Sequence, residues 1–341
     1  MSGRRTVRSA AIAIAIGALC LAPAGGASGR ETSVRNGEIT FIRKSNIYGE
    51  GVLHAVNPST GKIRRLLKSG WVRDAAWSPD GKRLAITDKC AVKVVPAAGG
   101  RLRTILRPKI TSSSDGSHAS ECWGAGDWSP DGRWLVVTRC GNPLCEQLAG
   151  PALYVVGAGG GGLRQLTQRD CVVGRVWACV FVGDGFPDWS PDGERILFQR
   201  LDVSLPDPLH GNWANNARLY VVKPDGSGLE QLSPAQARSP EWSPDGSRIA
   251  FVRIVWTTLP PGARATGSHV IMNADGSGEK TLWSGEQKSC GWGGLAWAPD
   301  GSRLAHTGPC PRGIYTMAPD GSDPVRLTSG NDRIVSWRPL P

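Results

Sequence analysis

Apolar and polar residues alternate with a period of two in short runs, such as Arg83-Leu84-Ala85-Ile86 and Arg195-Ile196-Leu197-Phe198. That period predicts half-buried β-strands. Each run follows a tight reversal built on Pro-Asp-Gly. There Pro presets φ, Asp bonds its own downstream backbone and Gly takes the positive φ that closes the turn. A second hairpin follows, at 219–233, 269–283 and 313–328, turning on PDGSG or ADGSG. The unit so predicted is four short strands.

The unit recurs. Trp77, Trp128, Trp189, Trp242, Trp297 and Trp337 head the copies WSPDGKR, WSPDGRW, WSPDGER, WSPDGSR, WAPDGSR and a truncated WRPLP, at intervals of 51, 61, 53, 55 and 40 residues. A four-stranded sheet cannot bury both faces alone, so such units stack as propeller blades. Residues 37–67 supply three strands without a leading Trp strand, and the chain ends on the lone strand IVSWRP. The expectation is an all-β six-bladed propeller whose last strand completes the first blade, which leaves no free edge.

The succession WSPDG, then IAF, then IMNADG or YTMAPDG, then LT resembles the TolB-type, WD-repeat-like six-bladed propeller family over about residues 36–339. The resemblance implies the fold and names no ligand. TolB itself adds an N-terminal α/β domain, for which only about ten residues lie between the leader and the first strand here. A TolB role in an outer-membrane-spanning complex is therefore not expected.

The leader changes the picture of where the chain works. Arg4, Arg5 and Arg8 precede an apolar run from Ala10 to Ala24, and Ala22-Pro23-Ala24 offers a cleavage site, with a later cut near Ala27. The organisation expected is a signal peptide over 1–27, a linker over 28–35 and the propeller over 36–341. The apolar run is too short and Ala-rich for a transmembrane helix. Cys20 follows the bulky Leu19, where a lipobox wants Gly or Ala, and Thr6-Val7 after the arginine pair is a poor twin-arginine match. An exported protein is expected, whether periplasmic, envelope-bound or extracellular.

Removing the three leader arginines from the formal charge of +11 leaves +8. A basic surface suits an anionic envelope protein or polysaccharide. Nucleic acid is not expected, since the Arg and Lys residues are spread through every unit of an exported chain. A monomer is expected.

Eight cysteines remain after cleavage. An even number in an oxidising compartment predicts disulfides. Centring the hairpins on their turns sets Cys122 opposite Cys140 and Cys290 opposite Cys310, so those two bridges are expected. Cys90, Cys145, Cys171 and Cys179 stay open among three pairings. No two cysteines have the spacing of a zinc CxxC pair.

Asp127, Asp188 and Glu241 directly precede blade tryptophans, a pattern from which a metal or catalytic ring could be built. The same arithmetic sets Arg195 opposite Asp188 and Arg248 opposite Glu241, so cross-strand ion pairs are the simpler expectation. Asp127 faces Trp134 and becomes the candidate functional carboxylate. The turn aspartates need no role beyond the turn, and PDGSG lacks the further carboxylates of a calcium loop. The sequence carries no G-x-S-x-G, H-E-x-x-H, Walker or dinucleotide motif. Its five histidines share no short spacing. No cofactor is expected.

Loop length points to a binding face. The long segments 107–122, 168–187, 201–217 and 255–268 fall after the second and fourth strands, which end on one face of an up-and-down unit. Insertions gathered on one face mark the binding side of a repeat protein. Trp123, Trp177, Trp213 and Trp292 cluster there with His210 and neighbouring Asn and Asp residues, groups that stack on sugars or anchor a partner. The reading is a secreted, non-catalytic binding or scaffold module. Its alternative is a propeller enzyme of lactonase or polysaccharide-lyase type with a polar site at the channel mouth.

Overall fold

A computed structural model of the chain describes residues 34–44, 51–67, 71–112, 118–140, 152–168, 171–173, 179–202, 217–233, 236–256, 265–287, 294–308 and 313–340. They belong to one unit spanning Ser33–Pro341. The leader lies outside the described residues. Among those described there is no helix, so none is long and apolar enough to cross a membrane.

The strands run in order. The first unit contains β1 (Arg35–Lys44), β2 (Gly51–Val56) and β3 (Ile63–Arg65). The second contains β4 (Val72–Trp77), β5 (Arg83–Asp88), β6 (Ala91–Pro96) and β7 (Arg103–Leu106). The third adds a short β8 (Lys109–Ser112) before β9 (His118–Trp128), β10 (Trp134–Cys140), β11 (Ala152–Gly157) and β12 (Arg164–Gln165). The fourth adds β13 (Cys171–Val173) before β14 (Cys179–Trp189), β15 (Ile196–Asp202), β16 (Ala217–Val222) and β17 (Glu230–Gln231). The fifth is β18 (Ala237–Trp242), β19 (Arg248–Trp256), β20 (Ala265–Asn273) and β21 (Lys280–Gln287). The sixth is β22 (Leu295–Trp297), β23 (Leu304–Thr307), β24 (Ile314–Met317) and β25 (Val325–Arg326), and β26 (Asp332–Leu340) ends the chain.

The architecture is an all-β propeller arrangement of antiparallel sheets. Among the described residues the hydrogen-bonded sheets number five and not the expected six, one pairing, Gly51 with Val72, joining β1–β3 and β4–β7 into an eight-stranded sheet. β26 pairs with β1, setting Ile39 opposite Trp337 and Arg43 opposite Asp332. The Arg43 guanidinium holds the buried Asp332 carboxylate with two bonds of 2.8 and 3.0 Å.

The first turn of each unit sits one residue later than expected. In Ser129-Pro-Asp-Gly-Arg-Trp134 the Ser129 N–H reaches the Trp134 carbonyl at 2.9 Å, and the Ser129 hydroxyl accepts from the Trp134 N–H at 2.9 Å. Ser129 also donates to Asp131 at 2.6 Å. The serine just past the strand thus closes a four-residue loop, a pattern repeated at Ser78, Ser190 and Ser243. Holding Asp131 in these hydrogen bonds lowers its carboxyl to about 2.

Buried apolar side chains lie between consecutive units. Ala76, Ala85 and Val92 meet Trp128, Leu135 and Val137, and Ala296, Ala305 and Ile314 meet Phe41, Ile334 and Trp337. Each sheet therefore uses both faces against neighbours, which is the packing its period-two pattern requires.

Candidate functional site

In four of the opening strands, β4, β9, β14 and β18, the ladder slips ahead of the tryptophan. Register shifts fall between Val72 and Asp74, between Gly185 and Asp188, between Arg238 and Glu241, and opposite the Leu135–Val137 stretch in β9. Such a bulge disrupts the local ladder and re-aims a side chain. Phe186 and Ser239, in equivalent bulges, take left-handed φ values of 51° and 47°. Phe186 is half exposed.

Four of the residues that directly precede a tryptophan reach forward to the next unit. The Trp189 N–H donates to Asp127 at 3.1 Å, the Trp242 N–H to Asp188 at 2.5 Å and the Trp297 N–H to Glu241 at 3.1 Å. At the boundary of β26 with β4, the Trp77 N–H donates to the Ser336 hydroxyl at 3.4 Å. A second tier repeats the device. Thr87 accepts from the Ala125 N–H at 2.6 Å and Thr307 from the Ile334 N–H at 3.0 Å.

Three of these links are carboxyl groups that bear on one another. The charges of Asp127 and Glu241 both act on Asp188. Burial pushes Asp127 up to about 6, and burial with the neighbouring negative charges pushes Asp188 well above the carboxylate range. Burial, with Asp127, also raises Glu241 well above it. Each is half-buried. Asp74 of β4 is likewise raised to about 6 by burial, against the opposing charge of Arg333. Among the described residues no group of three or more His, Cys, Asp or Glu could hold a metal ion.

The expected ion pairs of Asp188 with Arg195 and of Glu241 with Arg248 are not formed. Because the turn sits one residue later, Asp188 faces Leu197 and Glu241 faces Ala250. The arginines instead lie on the indole of the following unit: Arg195 at 4.8 Å from the Trp242 ring and Arg248 at 5.2 Å from Trp297. Arg83 and Arg338 do the same to Trp128 and Trp77, at 4.5 and 4.7 Å. A cross-strand ion pair exists four residues before Asp188, between Asp184 and Arg200 at 2.7 Å. Asp127 is thus not singular for lacking an arginine, since the other two carboxylates lack one as well.

Trp123 is a correction too. It is 6% exposed, its indole donates to the Arg107 carbonyl at 3.1 Å, and its ring packs edge-on against Tyr154. It is a core residue and offers no face to a ligand. Trp71, by contrast, is 52% exposed beside Lys89. Trp177, His210, Trp213 and Trp292 lie outside the described residues. So do Cys290 and Cys310.

Cys122 and Cys140 do face each other in the ladder, but Cys122 is bonded to Cys90. Cys90 sits at the β5–β6 turn with φ 62°, and its carbonyl accepts from the Trp123 N–H at 3.1 Å. Arithmetic within one hairpin cannot see a partner in the preceding unit. Two of the long segments also hold strands: β8 and the start of β9 fall within 107–122, and β13 with most of β14 within 168–187.

One buried pair was missed altogether. His269 and His306 pack with ring centroids 4.4 Å apart between the β18–β21 and β22–β25 sheets. The signal was present in the repeat, since His306 occupies the place that Phe41, Phe198 and Phe251 fill in other units.

Comparison with known proteins supports the fold and stops short of a family. No family model matches the chain. An uncharacterised protein of Agrobacterium fabrum, Atu1656, is 26% identical over 229 residues, 64% of this chain and 67% of that protein. Dipeptidyl-peptidase 5 of Porphyromonas endodontalis is 30% identical over 105 residues, which cover 30% of this chain but only 14% of the peptidase. Among solved structures, the nidogen/laminin complex aligns with a TM-score of 0.57 at 12% identity, covering 89% of this chain and 98% of that one. A provisionally named TolB of Agrobacterium tumefaciens aligns with a TM-score of 0.49 at 20% identity over 74% of this chain and 87% of its own. At these identities the shared property is the propeller fold.

Proposed function

We propose that the chain is an exported propeller of six blades in a closed ring that acts as a non-catalytic binding or scaffold module of the cell envelope, taking a protein or anionic polysaccharide on one face. The observation that carries this reading is strand alternation. Each opening strand is antiparallel to the second, and the second to the third. The second strands therefore end, and the third strands begin, at one face, and the sequence between them is 141–151, 203–216 and 257–264. The opposite face is made of tight Pro-Asp-Gly turns that hydrogen-bond internally. The polar groups of the opening strands act within this reading as links between blades, keeping the binding face rigid. Pairing of β26 with β1 supports the closed ring, and so does packing of Trp337 beside Ala296 and Ala305.

The test is capture of envelope extract on the mature protein, together with a glycan array. Trp213→Ala and His210→Ala are expected to weaken binding with an unchanged melt, while Ser227→Ala and Ser277→Ala in the opposite turns leave binding intact. Loss from the turn variants alone overturns the assignment of the face.

A second reading, a propeller enzyme of lactonase or polysaccharide-lyase type, draws on the buried carboxyls of Asp127 and Asp188, which act on each other electrostatically. Neighbouring carboxyls in a buried setting are a pattern that acid–base pairs use. Turnover of a lactone or a polyuronate that is lost in Asp127→Asn would favour it.

A further inference from the structure

We infer that the cleft between the β18–β21 and β22–β25 sheets, on the side of the Pro-Asp-Gly turns, binds an acidic peptide segment of a partner protein, its carboxylates on Arg248 and Lys280 and an apolar side chain between them. The cleft lies on the face opposite the long segments, so the inference stands whichever partner that face takes.

The cleft has a volume of about 530 Å³, within the range of ligand sites. Arg248 stands opposite Asn273 in the ladder, and Lys280 opposite Ile271. Opposed residues share a face and alternate residues of one strand do too, so all four lie on the face turned to the sixth unit. There Ile271 packs with Trp297 and Met317. Ala318 and Pro319, in the turn after β24, form the other wall. The strands that carry the two cations are two strand spacings apart, roughly 10 Å, which leaves room for an apolar side chain between two carboxylates.

The way its cations are held distinguishes this boundary from the others. Arg83 and Arg338, in the place of Arg248, each donate to a carbonyl of the next unit's turn, at Gly132 (2.9 Å) and Gly81 (3.0 Å). Arg248 lies over Trp297, and among the described residues its guanidinium donates no hydrogen bond. Arg103 and Arg164, in the place of Lys280, hold the Gly159 and Pro224 carbonyls at 2.8 and 2.7 Å, whereas Lys280 reaches the Asp320 carbonyl at 3.4 Å. Arg195 also only stacks, but there the outer strand brings Glu230 opposite Val221 and the second cation is lost. Asp245 and Asp320 are the acids beside the two cations. Both are engaged in their own turns, Asp245 by Ser243 and Ser247 and Asp320 by Ser322. A carboxylate supplied from outside can therefore take up the unused donors of Arg248 and Lys280. The lining includes no aromatic residue on which a sugar would stack, and its apolar wall suits a peptide side chain.

The probe is a fluorescent peptide of alternating glutamate and leucine, titrated with the mature protein and followed by polarisation. Saturable binding is expected, and peptides with lysine for glutamate or serine for leucine should each bind about tenfold more weakly or worse. Arg248→Ala should weaken binding about tenfold, and Lys280→Ala, at an exposed position, about two- to fivefold. Arg195→Ala removes the equivalent stack from the neighbouring boundary and should leave binding as it was. Should Arg248→Ala fail to melt cooperatively, Lys280→Glu must weaken binding more than Lys280→Ala does. Absence of saturation below about 1 mM protein, or binding that Lys280→Glu leaves unchanged, overturns the inference. Displacement of the peptide by alginate at equal carboxylate concentration would make the cleft a polysaccharide site and overturns it too.

Discussion

At the boundary of β14 with β18 the Trp242 N–H is held by the carboxyl group of Asp188, whereas at the boundary of β26 with β4 the Trp77 N–H is held by the Ser336 hydroxyl. The two sites serve the same bond with different chemistry. Elsewhere alanines 76 and 296 stand where the carboxylates would, and at Ala76 the indole of the next unit makes the link instead. Trp128 donates to the Ala76 carbonyl at 3.0 Å, and Trp77 donates to the Thr40 hydroxyl at 2.8 Å. In the carboxylate arc the indoles do not cross the boundary: Trp189 donates into its own turn at Gly193. Neutral links are therefore sufficient to join units, and they avoid the desolvation that burying a charge demands. Three carboxylates in one arc exceed what joining needs, and this makes that arc the candidate site.

The comparison breaks most severely if the neutral arc loses its strand. β26 supplies Ser336, the Trp337 ring and the Asp332 partner of Arg43. Truncation from Asn331 leaves β1 as an open edge and strips the apolar faces of both flanking units. The expected outcome is a fall in melting temperature on the order of 10 °C or more by calorimetry, or no cooperative melt.

A smaller effect comes from exchanging the chemistry. Ser336→Asp places a buried carboxyl in the neutral arc and should import pH dependence there. A loss of roughly 1–3 kcal/mol at pH 8 is expected, with less at pH 5. Ser336→Ala removes only the hydroxyl and should cost about 1 kcal/mol equally at both pH values. Urea denaturation at the two pH values separates them.

The Arg–Trp stacks are smaller again. Arg195→Ala and Arg248→Ala should each cost about 0.5–2 kcal/mol, the range of a partly desolvated cation over an indole. The alkaline slope of stability against pH should not change, because neither arginine pairs with Asp188 or Glu241. A steeper slope in Arg195→Ala would restore the ion pair with Asp188.

The strand arithmetic that suggested those ion pairs shows where the sequence was legible. Period-two alternation and the repeated WSPDG heptad located the opening strands and their order, because those signals are local. The one-residue displacement of each turn was not legible, since it depends on the Ser129 hydroxyl and its equivalents bonding both Asp131 and the returning strand. Links between units escaped for a related reason. Asp127, Asp188 and Glu241 were visible as a series, but their partners lie more than 50 residues ahead, at separations of 62, 54 and 56. The bridge from Cys90 to Cys122 spans 32 residues across the same kind of boundary.

The gentlest perturbation tests the acid side of the same balance. His269 and His306 are buried, and burial lowers both, His306 to about 4. A histidine depressed in the folded state leaves the unfolded chain to bind protons first, so stability is lost as pH falls below 6.5, opposite in sign to the carboxylate arc. The two effects oppose each other over the same mildly acidic range, so the pH of maximum stability reports which cluster outweighs the other. His306 fills the place of Phe41, Phe198 and Phe251, and its ring stacks on Tyr315 at 5.6 Å much as Phe198 stacks on Tyr220 at 5.9 Å. Phe is thus a residue this position accommodates elsewhere in the repeat. His306→Phe should be within about 1 kcal/mol of wild type at pH 7 and recover up to about 2 kcal/mol at pH 5, the share of His306 in the acid loss. The alkaline slope set by Asp127, Asp188 and Glu241 should stay as it was, and a change in both limbs of the pH profile would mean that the two clusters are not independent.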